Sequence, residues 1–490
     1  MSFTNECKEY LSYLKKYMYI ILSLYILCEV AIFIKIGRSN VFMFASTIFV
    51  TLFIICSIIL CFKNFETTIK MYILSVPLIP LILYIFFRLK MTWIGTSMYW
   101  LYFLIFIINA YKAFQNNKLD FSKISLKNGR YKKVVLVYLV LIVLSFISAM
   151  LSIHKLESLN MMGVSLVSMA VISLLILSYK DTDKEFVKDI IAYLCGGVAL
   201  SSIPDIIVAL YTIIFQGKNQ HLYGVLGSNF MLGYTIIVLP FILLFAINKD
   251  ICPKYNKIFK LLLIIETVNL CTQMSRGILV AVFICFFLTI ILDRKNFIKY
   301  LLVAAIIFSG LGYNIMHRWE LNEIRQEIEV EGIGGVVQGP GFLKQVLDQT
   351  KSRRPIWIVA FRMIGDNPYF GVGPGQFKNN YLDYGGKPTR MYIDAHNIVL
   401  NVATEMGVIF TVIFFIACLF PFFKSLIHGW KYKKTMGVLY PSLIGISALF
   451  AYGNITGQAF MTSTYPVSIV PAFVFVMTYT IMIKTTKEYK

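Results

Sequence analysis

The sequence predicts an all-α polytopic membrane protein of about fourteen transmembrane helices, with one large loop region outside the membrane. Three observations predict it. Of 490 residues, 58% are apolar and only 14% charged, whereas a soluble domain averages about 45–50% apolar and about 25% charged. Apolar runs of about 20 residues, each long enough to cross a bilayer, recur along nearly the whole chain. Basic residues gather in every second loop between those runs, the asymmetry that sets orientation in a membrane. A soluble globular protein is excluded.

The N-terminal stretch MSFTNECKEYLSYLKKY is polar and lacks the layout of a cleavable signal. Spans are expected near residues 17–36, 41–62, 71–88, 92–110, 134–153, 161–179, 187–214, 226–247, 257–274, 277–293, 297–316, 394–422, 437–455 and 464–483. An even count puts both ends of the chain on one side. The connection from Lys112 to Lys133 sets seven cations against Asp120 alone, which marks it as cytoplasmic. Every second loop matches it: Lys63 and Lys70; Lys180, Lys184 and Lys188; Lys249 to Lys260; Arg294 to Lys299; Lys424 to Lys434. Both termini are therefore expected in the cytoplasm.

The alternate loops are short and nearly charge-free except for one, from His317 to about Asp394. It divides the chain into a membrane bundle at 1–316, an extracytoplasmic loop region with short helices at 317–393, and closing spans at 394–490. The first half of the loop is acidic and fits a surface helix before a glycine-rich turn. Its second half concentrates arginine, aromatic residues and glycine. There Pro355 is expected to begin a short helix that places Trp357, Phe361 and Ile364 on one face.

The net charge of +21 belongs to these loops, and no basic domain or RNA motif accompanies it, so nucleic acid is excluded as a partner. Nine cysteines, an odd number without a CxxC pair, read as small packing residues. No HExxH, Walker motif or His/Cys cluster is present, so neither a metal nor another cofactor is implied. Glu29, Asp205 and Glu266 interrupt apolar runs and are functional candidates on that ground.

The cations comprise 35 lysines and 11 arginines, and six of the arginines fall in the outer loop region: Arg318, Arg325, Arg353, Arg354, Arg362 and Arg390. A seventh, Arg276, sits at the outer edge of the tenth span. Arginine offers a planar fork suited to phosphate, where lysine offers a point charge. Arg318 and Arg325 share an expected helix with Glu320, Glu323, Glu327 and Glu331 and fit salt bridging. Arg276 and Arg353 lie far from those acids in sequence, and an anionic ligand at the outer face fits them better.

The segment SRRPIWIVAFRMIGDNPYFGVGPGQF, followed by DAHNIVLNVATEMGVIF, resembles the signature region of the O-antigen ligase and polymerase superfamily of bacterial surface-polysaccharide enzymes. The resemblance rests on Arg353 four before Trp357, and on a turn containing Asn367, Pro368, Gly371, Gly373, Gly375 and Phe377. The His396–Asn397 pair and Glu405-x-Gly407 complete it. Upstream, Gly224 and Asn229 and the Ser275–Arg276–Gly277 triplet match weaker family elements, so the likeness spans roughly residues 220–420. His221 departs from it, standing where many members carry arginine.

This resemblance implies a GT-C-like membrane glycosyltransferase. Its donor is an oligosaccharide on undecaprenyl diphosphate, and its acceptor is a glycan hydroxyl outside the cytoplasmic membrane. A flippase or a chain-length regulator would be its partners. Arg276, Arg353 and Arg354 are then the diphosphate ligands. His396 is the general base, with Asp394 placed to orient it. Trp357 either stacks on a sugar or anchors its helix at the interface. Asn397, Gly373, Asn229, His221 and Glu405 are supporting residues, Glu405 lying too far along its helix to pair with His396. The glycine-rich turn either presents amides to phosphate or fixes a chain reversal. The alternative reading is a flippase for lipid-linked oligosaccharide, which needs cations lining a central cavity and not an outer loop.

Overall fold

In a computed structural model, the structure describes residues 3–36, 41–79, 86, 92–216, 230–273, 276–331, 342–388, 394–431, 436–454, 461–462, 467–468, 478 and 480–481. The described residues are overwhelmingly helical. In chain order the helices are α1 (Phe3–Lys16), α2 (Met18–Ile36), α3 (Val41–Cys61), α4 (Phe65–Ser75), α5 (Thr92–Gln115), α6 (Lys132–Leu151), α7 (Lys155–Met162), α8 (Ser168–Ser178) and α9 (Lys184–Gln216). They continue with α10 (Phe230–Ile247), α11 (Asn256–Cys271), α12 (Arg276–Leu292), α13 (Phe297–Glu331), α14 (Phe342–Asp366), α15 (Phe377–Asn380), α16 (Ile398–Lys431) and α17 (Met436–Tyr452).

Among the described residues, six helical stretches are long and apolar enough to cross a bilayer: 96–115, 132–151, 155–178, 185–207, 294–314 and 398–417. Four shorter apolar stretches lie in α3, α10, α12 and α17, and α1 meets α2 at a 74° bend. This is the architecture of a polytopic membrane protein. The centre of the bundle is α10, whose run from Ile236 to Phe245 is buried on all sides, as an all-round apolar helix must be. Its crossing with α17 is close because Gly445 faces the Ile237 carbonyl, where a Cβ would collide. Gly197 plays the same part between α9 and the Leu74 carbonyl of α4, the small-residue contact that lets membrane helices approach.

Several boundaries differ from the sequence reading. The expected span at 71–88 meets a helix that already ends at Ser75, with Val76 as its cap; beyond Ile79, only Phe86 of that span is among the described residues. α13 runs on without a break to Glu331, so the acidic surface helix continues the eleventh span. Pro355 does not begin a helix: it lies inside α14, which starts at Phe342. The buried face of α14 is Ile356, Val359, Ala360 and Met363, packed with Val372, Phe377, Tyr381 and Ala395; Phe361 is exposed. Within the last expected span, 464–483, the described pair Val467–Ser468 is antiparallel to Met461–Thr462.

At the end of the bundle where the lysine-rich loops gather, buried charges tie α1 to three other elements. Lys70 Nζ lies 2.8 Å from each of Glu6, Glu66 and Asp189. Lys254 joins the same group, 2.8 Å from Asp189 and 3.3 Å from Glu6, and the Tyr10 and Tyr193 hydroxyls donate to Glu6. Burial alone would raise Glu6, but the hydrogen bond and charge of Lys70, with the charge of Lys254, hold it down at about 2.

Candidate active site

The His396 turn is built from four side chains that leave its backbone little freedom. Asn397 caps α16, its Oδ1 accepting from the Leu400 amide at 3.0 Å, as N-cap asparagines do. Asn401, one turn on and fully buried, accepts from the Ala395 amide at 3.1 Å. From α14, Trp357 Nε1 donates to the Ala395 carbonyl at 3.1 Å. Asp394, buried, accepts from the His396 amide at 2.7 Å. These bonds hold His396 at φ +49°, a left-handed conformation uncommon for any residue but glycine.

The same Asp394 oxygen lies 2.7 Å from His396 Nδ1. The carboxylate is thus placed to pair with the ring when the imidazole is protonated, while 30% of the His396 side chain stays open. This is the orienting logic of carboxylate–histidine pairs. Arg353, half-buried on α14, faces the pair: burial draws its pKa down and the Asp394 charge pushes it back up. Arg354, the next residue round the helix, is exposed. The structure thus brings Arg353, Trp357, Asp394 and His396 together. The side chain of Arg276 and the residues His221 and Asn229 lie outside the described residues; only the position of Arg276 at the start of α12 is given.

The glycine-rich turn is a plug for a broken helix. Gly407 interrupts α16 at φ 82°, ψ 167°, which frees the carbonyls of Thr404 and Glu405 and the amide of Val408. The turn takes up all three: Val372 N–H to Thr404 O and Gly373 N–H to Glu405 O, both 2.9 Å, and Val408 N–H to Pro368 O, 2.8 Å. Gly371 and Gly373 sit at φ +67° and +112°, and a Cβ at Gly373 would collide with Ser152 of the α6–α7 corner. Of the two readings of this turn, chain reversal is the one the geometry carries, since the amides of Gly371, Val372 and Gly373 are engaged within the protein. The Glu405 carboxyl is buried beneath the turn. The Gly375 and Phe377 amides and the Asn401 side chain face it without closing a hydrogen bond.

Asn401 escaped the sequence reading; its signal was a lone amide one turn beyond the HN pair on an apolar face. Of the membrane carboxylates, Glu266 is fully buried and accepts from Ser202 (3.0 Å), Thr235 (3.1 Å) and Asn269 (3.0 Å), knitting α9, α10 and α11. Among the described residues no group of histidine, cysteine and carboxylate side chains is arranged to hold a metal ion.

Residues 261–415 match the family model described as O-antigen ligase. The matched stretch runs from α11 to just beyond the break in α16 and contains all the residues of the assembled site. None of the curated proteins matches the chain.

Proposed function

We propose that this chain, whose residues 261–415 match the O-antigen ligase family model, is a membrane glycosyltransferase. It moves a glycan from an undecaprenyl-diphosphate carrier to an acceptor hydroxyl at the outer face of the cytoplasmic membrane. The observation that carries this reading is the Asp394–His396 pair beside half-buried Arg353. In the transfer, His396 Nε2 takes the acceptor proton as its oxygen bonds to the anomeric carbon, a role worth about 10²–10⁴-fold. The bond from that carbon to the carrier breaks, its electron pair passes to the diphosphate, and Arg353, with Arg276 and Arg354, receives the charge. Arginines take the part a metal ion would otherwise play, so the transfer is metal-independent. Both termini lie in the cytoplasm, and the 317–393 region stands outside.

The test is complementation of a deletion strain with wild type, His396→Ala or Arg353→Ala at matched membrane levels, with the surface glycan resolved as a ladder. Loss of long chains while single repeat units still reach the outer face identifies a polymerase. Full-length polymer stranded on its carrier identifies a ligase. Accumulation of repeat units on the cytoplasmic face alone contradicts the proposal and favours a flippase.

A further inference from the structure

A pocket of about 260 Å³ opens between the α6–α7 corner and the turn that follows α14. It is near the lower edge of small-molecule sites, which run from about 300 Å³, and has room for one sugar unit. Its polar lining comprises Ser152, Asp366, Asn367, Asn380 and Tyr384, and Tyr369 adds an aromatic ring that is 66% exposed. Leu151 and Ile153 make an apolar rim.

The lining is pre-organised. Tyr384 is held at both ends: its hydroxyl accepts from Asn367 Nδ2 at 2.8 Å and its carbonyl from Arg362 Nη1 at 3.2 Å. Asn380 donates its amide to the Gln376 carbonyl at 2.9 Å. The groups left over are mostly acceptors: the Asp366 carboxylate and the Asn367 and Asn380 carbonyl oxygens, against three donor hydrogens, on the Ser152 and Tyr384 hydroxyls and the second Asn380 N–H. No cation is among the lining residues. An acceptor-rich, cation-free pocket beside an open aromatic face suits a ligand rich in hydroxyl donors with an apolar ring face. It repels phosphate and carboxylate groups.

We infer that this pocket binds a neutral sugar residue of the glycan substrate, a few units away from the reacting end. The register comes from the fold. Val372 lines the pocket and its amide is bonded to Thr404, eight residues beyond His396, or about 12 Å at about 1.5 Å per residue. The placement rests on the glycan-transfer reading; the pocket's chemistry does not.

The probe is a fluorescently labelled oligosaccharide released from the polysaccharide of the cells in which the protein works, titrated against the detergent-solubilised full chain. Tyr369 and Asp366 are both exposed, so replacing them leaves the fold intact. Tyr369→Ala and Asp366→Asn weaken binding by about tenfold each, Tyr369→Phe restores it, and a fragment bearing a uronic acid at every position binds more weakly than a neutral one. Arg353→Ala leaves the affinity for this carrier-free fragment unchanged. Equal affinity of wild type, Tyr369→Ala and Asp366→Asn overturns the inference, as does failure of wild type to bind the fragment. If binding behaves as stated but the Tyr369→Ala strain and the deletion strain both keep a normal glycan ladder, the pocket stands and the transferase reading falls.

Discussion

At Asp394 a single carboxylate oxygen accepts from the His396 backbone amide and lies 2.7 Å from its ring nitrogen, so one side chain sets the turn and places a negative charge beside the ring. Its two duties can be separated. Asp394→Asn keeps an oxygen for the backbone amide but removes the charge that would stabilise an imidazolium. The expected result is transfer slowed by about 10²-fold or more, with the melting temperature of the solubilised protein close to wild type. A large drop in melting temperature with transfer per folded molecule preserved would assign Asp394 to the turn alone. Arg353 has a similar discriminant: Arg353→Lys keeps the charge but loses the fork, and activity falls with it if a diphosphate is the ligand.

Among the elements, the break in α16 and the turn that fills it form one unit. Gly407 lies in a backbone region open essentially to glycine alone, where another residue costs about 1–3 kcal/mol, and a Cβ there would also collide with the Tyr369 carbonyl. Gly407→Ala therefore undocks the turn. Thermal melting should fall by several degrees, and the 367–373 amides should exchange hydrogen faster than in wild type. Most helices were legible in the sequence because an apolar run of bilayer length has one stable form in lipid. The break was not, although the Glu405-x-Gly407 pattern marked its place: the partners of Thr404, Glu405 and Val408 come from residues more than thirty positions earlier. Pro355 misled for a related reason, since proline is favoured at a helix start yet is tolerated inside α14. The cluster of Arg353, Trp357, Asp394 and His396 was legible as residue types, and it lies within the stretch 261–415 that matches the family model. Asn401, whose bond is to a backbone amide, carried no chemical signature of its own.

For the whole molecule, the charge cluster on Glu6, Lys70, Asp189 and Lys254 fastens the N-terminal helix to the bundle at the end opposite the candidate site in the expected topology. Glu6 sits at about 2 in the folded chain against an ordinary 4.5. A depressed carboxyl contributes stability that is fully present above the unfolded value and lost as pH falls through the folded one. Stability of the solubilised protein should accordingly decline between pH 4.5 and about 2, and Glu6→Gln should flatten that part of the profile while lowering stability at neutral pH. An unchanged acid limb would mean that the cluster does not anchor α1.

The role proposed for His396 as general base is tested most directly by transfer itself. The purified full chain, reconstituted in vesicles, is given an undecaprenyl-diphosphate-linked repeat unit and an acceptor oligosaccharide, and the initial rate is compared between wild type and His396→Ala. A general base at this position predicts a rate lower by about 10²–10⁴-fold in the variant, with the donor still bound. A His396→Ala rate within about twofold of wild type, which is under about 0.5 kcal/mol of transition-state stabilisation, would contradict that role.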